Sequence, residues 1–460
     1  MELSFDRGTL VLQGADRNHP LPAATGLLWD ERSGVFRAPA LAYEELVASL
    51  APLRTPWTDD VAPTLQSPLP LPRPALRDYQ EQALAAWTLA RRRGVVALPT
   101  GSGKTRVAHA ALAEVSRPAL VLVPTRALLA QWVQGLRDAG VDDVGVVGDG
   151  EHRLRPLTVC TFESAYRRMD TFGHRFALVV VDEAHHFGTG ARSEALEMAV
   201  APLRLGLTAT PPTRAEDQER LRRLIGPVVC TWTVQELTGT SLAPFDHLRL
   251  FVELTARERT LYATLHEPYA EAVRALFRAR PGATWADIAR TLATDPRGAA
   301  LLAGQQEAVR LVGQAQGKLE LVEQLLQRHR DDRTLLFTAG NEEAYLLSRR
   351  LLIPAITCDI GRAERADLLD RLRRGLLRSL VSAQVLNEGI DVPEARVAVL
   401  CGGRQGEREQ VQRAGRVLRP APGKRALIYE LVVRDTFEER QSERRRHALD
   451  PPRAARRNPP

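Results

Sequence analysis

The stretch that decides the fold of this chain is Pro99-Thr100-Gly101-Ser102-Gly103-Lys104-Thr105. The apolar residues 94–98 lead into it, and residues 106–115 follow it with a helical pattern. A strand, a glycine-rich loop and a helix in this order can hold a phosphate. Glycine lets the backbone approach the anion, and the helix N-terminus directs free N–H groups at it. The sequence therefore predicts that residues 100–105 bind a nucleotide phosphate; the alternative is a glycine turn without a ligand.

Two side chains of this loop predict ATP and Mg²⁺ as cofactors. Lys104 would reach the β- and γ-phosphates, and the hydroxyl of Thr105 would hold Mg²⁺. Only three of the 63 basic residues are Lys, so a Lys at position 104 indicates a need for a compact ammonium group rather than a planar guanidinium. The glycine expected five positions before Gly103 is Leu98, a variant that looks like the helicase form of this loop.

Length and composition narrow the class of protein. The 460 residues predict about three domains. The formal charge of +7 favours an acidic partner such as nucleic acid, although an Arg-rich solvated surface is the alternative.

The four cysteines lie far apart, which argues against zinc, an iron–sulfur cluster or disulfides, so each is expected to be a small core residue. Without a signal-like N-terminus or a long apolar run, we expect a soluble, cytoplasmic protein with no membrane contact.

Apolar strands alternate with helical patterns in two parts of the chain, and this alternation predicts two parallel sheets in an α/β fold. Only the first part contains a phosphate loop. The predicted divisions are an N-terminal accessory domain with a proline-rich linker (1–70), an ATP-binding domain (71–235), a bridging strand with a helical insertion (236–315), a second α/β domain (316–440) and an Arg- and Pro-rich tail (441–460).

A second motif, Asp182-Glu183-Ala184-His185, follows the apolar run 177–181. Ligands of parallel α/β sheets bind at the carboxyl ends of the strands, so these carboxylates are expected beside the phosphate loop. Asp182 would help to hold Mg²⁺, and Glu183 would act as the general base on the attacking water. The alternative is an acidic helix N-terminus.

Three further residues are candidates for coupling between the phosphate site and the rest of the chain. Thr208 and Thr210 end the next strand-like run, where their hydroxyls could transmit the state of the phosphate site; ordinary turn chemistry is the alternative. His185 would link the same site to other elements.

The second α/β domain contributes an arginine motif at residues 412–420, Gln-Arg-Ala-Gly-Arg-Val-Leu-Arg-Pro. Arg416 and Arg419 are spaced i, i+3, so a helix would present both on one face. An arginine that stabilises charge on the transferred phosphate can contribute roughly 10³–10⁵ in rate. Gln412 lies one turn earlier and could touch the γ-phosphate. The alternative is an Arg-rich solvated helix.

Taken in order over residues 76–440, these motifs resemble those of a superfamily 2 helicase of the DEAH type. The resemblance implies two tandem RecA-like domains. It also implies that Gln80 reads adenine, that the loop residues Thr100, Gly101, Ser102, Gly103, Lys104 and Thr105 bind the nucleotide, and that Gly389 and Asp391 of motif V contribute to that site. The implied nucleic-acid contacts are Thr125 and Arg126 of motif Ia, Thr161 of motif Ib and Thr338 of motif IV.

Within that superfamily the chain is most similar to XPB-type DNA helicases. The similarity is carried by residues 358–361, by residues 382–389 and by the Arg-Val-Leu-Arg-Pro ending of the arginine motif. The family has an Arg-Glu-Asp element after motif III, whereas this chain has Arg214-Ala215-Glu216-Asp217. The helical stretch near 256–312 stands where such proteins carry a thumb-like insertion.

The resemblance implies an ATP-driven DNA helicase or translocase with 3′→5′ polarity, acting in DNA repair on single-stranded or forked duplex DNA, as a monomer. One alternative is the motor subunit of a restriction or nuclease system, in which the nuclease would be a separate partner. Another is a non-catalytic nucleic-acid clamp; the presence of Lys104, Asp182, Glu183, Arg416 and Arg419 argues against it.

Overall fold

The structure is a computed structural model that describes residues 1–17, 19, 26–52, 56–190, 192–383, 395–402, 417–418 and 423–449. The chain divides into two compact units, which we call the N-terminal unit (Met1–Leu237) and the C-terminal unit (from Thr238 on). Each unit contains the parallel sheet that the alternation of strands and helices predicts. The fold is α/β with RecA-like domains, as expected from the sequence.

A five-stranded sheet opens the N-terminal unit, in the order β3-β4-β2-β1-β5. Its pairs are antiparallel except for β1 with β5. Leu10 and Leu12 pack on Leu46 and also on Ala177 and Val200 of the following domain, so this small sheet shares a core with its neighbour. Its elements are β1 (Glu2–Asp6), β2 (Thr9–Gln13), β3 (Leu28–Asp30), β4 (Val35–Pro39), a 3₁₀ turn (Ala40–Ala42), α1 (Tyr43–Leu50), β5 (Thr58–Asp59) and α2 (Ala62–Leu65).

The larger sheet of the N-terminal unit has eight strands in the order β13-β6-β12-β11-β7-β10-β8-β9, all parallel except β9. The neighbouring central strands β11 and β7 are apolar along their whole length because helices cover both faces of the sheet. The strands are β6 (Arg93–Ala97), β7 (Ala119–Val123), β8 (Gly145–Gly148), β9 (Glu151–Arg153), β10 (Leu157–Thr161), β11 (Leu178–Val181), β12 (Leu203–Thr208) and β13 (Val228–Thr231). The helices are α3 (Asp78–Leu89), α4 (Lys104–Val115), α5 (Arg126–Asp138), α6 (Phe162–Phe172), α7 (His185–Gly188), α8 (Glu194–Glu197), α9 (Ala215–Leu224) and α10 (Val234–Leu237).

The strand order brings the predicted motifs to one edge of this sheet. β12 lies between β6 and β11, so the loop after β6, the acidic motif after β11 and the end of β12 are adjacent. Two main-chain bonds join them: Leu98 N–H donates to the Thr208 carbonyl over 2.9 Å, and Ala184 N–H donates to the Leu207 carbonyl over 2.8 Å. The carboxyl edge of the sheet therefore supports the candidate site.

The C-terminal unit contains a six-stranded parallel sheet in the order β14-β19-β18-β15-β17-β16. The strand expected to bridge the two domains, β14, is the edge strand of this sheet and pairs with β19. The strands are β14 (Phe245–Val252), β15 (Thr334–Phe337), β16 (Ala355–Ile356), β17 (Ser379–Ser382), β18 (Val397–Leu400) and β19 (Ala426–Val433). The helices are α11 (Ala256–Ala279), α12 (Trp285–Ala293), α13 (Pro296–Gly313), α14 (Gln316–Arg328), α15 (Asn341–Leu351), α16 (Arg362–Arg373) and α17 (Phe437–Leu449).

A buried ion pair ties the last helix to this unit. The Lys318 ammonium of α14 donates to the Glu438 carboxylate of α17 over 2.7 Å and to the Cys401 carbonyl over 2.9 Å. Lys318 is 1% exposed. A pair without access to water needs such additional bonds, because desolvation otherwise exceeds the attraction between the charges.

The expectation that every cysteine lies in the core is wrong for Cys358, which is exposed; Cys160 and Cys401 are buried and Cys230 is half-buried. Cys358 follows the short strand β16, where the chain leaves the sheet, so its position is set by the end of the strand rather than by apolar character. Within the described residues, none of the helices combines the length and apolar character that crossing a bilayer requires.

Candidate active site

The phosphate loop has the backbone that its glycines predict. Gly101 and Gly103 have φ angles of +85° and +83°, a region that side chains with a Cβ atom avoid. A Cβ at Gly103 would also lie 2.7 Å from the amide nitrogen of Gln80. The hydroxyl of Ser102 donates to the Pro99 carbonyl over 2.7 Å and closes the turn. The backbone conformation therefore favours glycine at position 103, and a Cβ there would also displace the amide of Gln80.

Lys104 begins α4, and its side chain folds back over the loop. The ammonium nitrogen lies 3.2 Å from the Leu98 carbonyl and 3.5 Å from that of Pro99. Thr100 and Thr105 are half-buried beside it. The cation and both hydroxyls thus lie in the same short segment as the N-terminus of an α-helix, which favours anions.

The first turn of α3 holds the loop from the other side. The Gln80 amide donates to the Ser102 carbonyl over 2.9 Å, and its oxygen accepts the Arg77 N–H over 3.0 Å. The hydroxyl of Tyr79 also donates to the Ser102 carbonyl. Gln80, predicted to read adenine, thus also fixes the loop backbone. The sequence reasoning did not single out Tyr79; its place directly before Gln80 is the signal that could have found it.

The acidic pair lies under the loop with little access to water. Asp182 is 6% exposed, and its carboxylate accepts the Glu183 N–H over 2.9 Å and the indole N–H of Trp132 over 2.8 Å. Burial raises the pKa of Asp182, while the Trp132 bond and the Lys104 charge oppose that rise. Glu183 has a φ of +49°, an unfavourable conformation for a residue with a side chain. Trp132 was not predicted from the sequence.

The three predicted coupling residues form one hydrogen-bonded group. His185 Nδ1 lies 3.2 Å from the Thr208 hydroxyl and 3.5 Å from a carboxylate oxygen of Glu183. The Thr208 hydroxyl donates to the Thr210 carbonyl over 3.1 Å and accepts the Thr210 N–H over 3.1 Å. Contacts through His185 and Thr208 therefore connect Glu183 to Thr210, beyond the end of β12.

The predicted nucleic-acid residues have different surroundings. Thr125 follows β7 and Thr161 is the last residue of β10, and each hydroxyl accepts an N–H over 3.2 Å at the start of a helix. Arg126 is exposed at the start of α5 and pairs with Asp149 over 3.3 Å. In the C-terminal unit, Thr338 is buried, and its hydroxyl donates to the Gly340 carbonyl over 2.9 Å.

Five predicted site residues lie outside the described residues, so the structure gives no geometry for them. They belong to motif V and to the arginine motif: Gly389, Asp391, Gln412, Arg416 and Arg419.

Three family models match successive parts of the chain. Residues 3–61 match the model described as xeroderma pigmentosum group B helicase damage recognition domain. Residues 73–213 match type III restriction enzyme, res subunit, and residues 317–421 match helicase conserved C-terminal domain. The N-terminal match covers the small five-stranded sheet, for which the sequence alone showed no catalytic pattern.

Individual proteins show the same likeness. The chain is 32% identical over 424 residues to the DNA 3′-5′ translocase XPB2 of Sulfurisphaera tokodaii, covering 92% of this chain and 96% of that protein. It is 30% identical over 389 residues to the DNA 3′-5′ helicase XPB of Mycobacterium tuberculosis, covering 81% of this chain and 63% of that protein. The Hef helicase domain of Pyrococcus furiosus has a similar fold, with a TM-score of 0.51, 19% identity and coverage of 80% of this chain and 97% of that one.

Proposed function

Because the chain belongs to the XPB family of superfamily 2 helicases, we propose that it couples ATP hydrolysis to 3′→5′ movement along DNA, or to opening of DNA, in DNA repair. The buried Asp182–Glu183 pair carries this proposal, since it lies at the same sheet edge as the phosphate loop. A phosphate loop alone binds a nucleotide, whereas a carboxylate pair beside it supplies groups for hydrolysis. We assign the chain to the DEAH type on the residues at 182–185.

In this proposal the phosphate loop binds the triphosphate before any chemistry occurs. Lys104 leaves its contact with the Leu98 carbonyl, and its ammonium moves to the β- and γ-phosphates. Gln80 and Tyr79 keep the loop backbone in place during this exchange because both are bonded to the Ser102 carbonyl. The backbone of the loop is therefore preorganised for the triphosphate.

The residues beside the loop fit a Mg²⁺ ion. A carboxylate oxygen and a hydroxyl are ligands of the kind Mg²⁺ prefers, and Asp182 and Thr105 would provide them. Among the described residues no group of three or more His, Cys, Asp or Glu side chains could hold a metal. In nucleotide sites Mg²⁺ is commonly bound by one or two protein oxygens together with phosphates and water. When bound, the ion neutralises charge on those phosphates.

Glu183 would take the proton of the attacking water. Its carboxylate is buried, and its backbone is held in the left-handed region. Strain of this kind persists where the surrounding structure enforces it, often at functional sites. A change of charge on Glu183 would then alter the contacts of the nearby His185 Nδ1. Its contact with Thr208 would be affected, and through Thr208 also Thr210.

We propose that DNA contacts are made to phosphates at the carboxyl ends of the strands. Arg126 is exposed and would exchange Asp149 for a phosphate. The hydroxyls of Thr125, Thr161 and Thr338 already have partners in the protein, so we assign the contacts there to neighbouring N–H groups. Such contacts position the strand without reading its sequence.

The arginine motif would complete the chemistry. We propose that Arg416 and Arg419 stabilise the charge on the transferred phosphate and that Gln412 touches it, with Gly389 and Asp391 contributing to nucleotide binding.

We further propose that the chain acts as a monomer in the cytoplasm on single-stranded or forked DNA, with domain boundaries near residues 70, 235, 315 and 440.

The test of this function is phosphate release with single-stranded, duplex and forked DNA and with RNA. We expect DNA to stimulate hydrolysis, and DNA binding to weaken steeply with salt. Lys104→Ala and Glu183→Gln are expected to keep DNA affinity, measured by fluorescence anisotropy, and Glu183→Gln to lose about 10²- to 10⁴-fold in turnover because the general base is missing. Hydrolysis that no nucleic acid changes would contradict the motor function.

A second candidate function is the motor of a restriction system, which the match of residues 73–213 to a restriction-enzyme subunit favours. In that case a separate nuclease would be the partner. Co-purification of a nuclease from the source cells, with DNA cleavage that requires ATP, would support this candidate; its absence would favour the repair role.

A further inference from the structure

A tryptophan outside the predicted motifs contacts the acidic pair. Trp132 lies in the second turn of α5 and is 1% exposed. Its indole N–H donates to the Oδ2 atom of Asp182 over 2.8 Å. The other carboxylate oxygen, Oδ1, accepts the Glu183 N–H over 2.9 Å. Each carboxylate oxygen of Asp182 thus accepts one hydrogen bond, and the two bonds together fix the orientation of the carboxylate plane.

The indole also contacts the helix that follows the phosphate loop. His109 of α4 lies against Trp132, with 5.4 Å between the ring centroids. Trp132 therefore contacts both the phosphate-loop helix and the carboxylate of Asp182. A hydrogen bond to a charged acceptor is stronger than one between neutral groups, and a buried carboxylate oxygen that loses its donor is destabilised by its full desolvation penalty.

The same helix begins at a predicted nucleic-acid contact. Thr125 caps α5, and Arg126 is its first residue. Trp132 is six residues further, a distance of about 9 Å along a rigid helix. A displacement of the helix at Arg126 would therefore move the indole and, with it, the hydrogen bond to Asp182.

We propose that Trp132 is a positioning residue that orients the Asp182 carboxylate for Mg²⁺ and makes this orientation depend on α5, so that a nucleic acid bound at Thr125 and Arg126 changes the affinity for Mg²⁺–nucleotide. The inference rests on the proposed function for the identity of the ligands. It assigns the coupling to one helix inside the N-terminal unit.

The test compares Trp132→Phe with Trp87→Phe in the full chain. Trp87 is a matched control, because it is also fully buried in the N-terminal unit and its indole N–H donates to a carbonyl, that of Arg204, over 2.9 Å. Binding of a fluorescent ADP analogue is titrated with Mg²⁺, with and without single-stranded DNA. This readout needs no hydrolysis.

For Trp132→Phe we expect the half-saturating Mg²⁺ concentration to rise about 10- to 100-fold, the range seen when a group that orients a metal ligand is removed. The affinity for the analogue without Mg²⁺ should stay unchanged, and DNA should no longer alter the Mg²⁺ titration. Trp87→Phe should titrate like the wild type. If Trp132→Phe does not fold, 3-benzothienylalanine at position 132 replaces only the N–H by sulfur and keeps the bicyclic ring.

Two results would overturn the role of Trp132 in orienting Asp182: an unchanged Mg²⁺ titration in Trp132→Phe, or equal shifts in both variants, which would indicate a purely structural role. A shifted titration that DNA still alters as in the wild type would overturn the coupling by α5. Failure of the proposed function is distinguishable, because DNA would then change neither hydrolysis nor the Mg²⁺ titration in the wild type.

Discussion

His109 and Asp182 both contact the Trp132 indole, and burial shifts their pKa values in opposite directions. It raises the pKa of Asp182 and lowers the pKa of His109 to about 4. In both cases the neutral form is favoured, because the charged form loses its hydration. Asp182 has the indole N–H and Lys104 to offset this effect, whereas His109 Nε2 has no hydrogen-bond partner among the described residues.

The His109 imidazole should make the N-terminal unit sensitive to acid. The unfolded chain binds a proton near pH 6.5, but the folded protein does so only near pH 4, so stability should fall as the pH drops through this interval. The free energy of unfolding should fall by about 3 kcal/mol because of His109. In His109→Phe this contribution should be missing. Urea unfolding at several pH values checks this by fluorescence, since five of the six Trp residues lie in the N-terminal unit. Equal pH dependence in both proteins would contradict the assignment.

At the scale of secondary structure elements, Arg204 connects β12 to the ends of two helices. Its guanidinium is fully buried and donates to four backbone carbonyls, those of Leu196, Ala199, Ala201 and Leu224. The last residues of a helix leave carbonyls without partners inside the helix, and a cation near them is favourable. The guanidinium of Arg204 therefore supplies the hydrogen-bond donors for carbonyls at the ends of α8 and α9.

Replacing this guanidinium should destabilise the N-terminal unit strongly. Arg204→Lys keeps the charge but cannot reach four carbonyls, and each buried acceptor left alone costs about 1–3 kcal/mol. We expect a loss of at least 3 kcal/mol in the free energy of unfolding, measured in urea. Arg222→Lys, an exposed position on α9, is the control and should change the stability little. Similar stabilities for the two variants would show that the four bonds do not hold the helices.

At the scale of the whole molecule, the chain consists of two units with separate sheets. The buried clusters of the N-terminal unit are formed entirely by residues before position 238, and the small sheet adds its own apolar face to them. The phosphate loop, the acidic pair and the coupling residues all belong to this unit. The arginine motif belongs to the other half of the sequence.

This division predicts the behaviour of a fragment of residues 1–237. We expect it to fold and to bind ADP with Mg²⁺, which at 100 times the Kd would stabilise it by about 2.7 kcal/mol in thermal unfolding. Hydrolysis should be slower by roughly 10³–10⁵, because Arg416 and Arg419 are missing. Full-length Arg416→Ala is the matched control and should bind the nucleotide but hydrolyse it slowly. A fragment that hydrolyses ATP as fast as the whole chain would contradict the role of the arginines.

Part of the candidate site was predictable because its signals are local. A strand, Gly101, Gly103 and a helix follow each other within about twenty residues, and the Asp182–Glu183 pair directly follows an apolar run. Thr208 and His185 were predicted separately as coupling residues, and the structure places them 3.2 Å apart. That proximity follows from parallel strands ending at one edge of the sheet.

Other features depend on contacts between distant residues. Trp132 and Asp182 are 50 positions apart, and nothing near either residue in the sequence indicates their hydrogen bond. The sequence pattern also did not predict the edge strands β3, β5, β9 and β13, since each is only two to four residues long and an edge strand requires only a weak pattern. Cys358 was expected in the core because of the apolar character of its side chain. Its exposure depends on where β16 ends, which the sequence pattern does not indicate.

The amino-acid sequence by itself determined the phosphate loop, the acidic pair and the α/β class. Each of these depends on backbone freedom at glycine, on residue order or on periodicity, which are properties of neighbouring residues. Only the tertiary structure decided that β12 lies between β6 and β11, that Arg204 holds two helix ends and that Trp132 orients Asp182. These arrangements arise from the packing of elements that are remote in the chain, and the local sequence pattern does not indicate that packing.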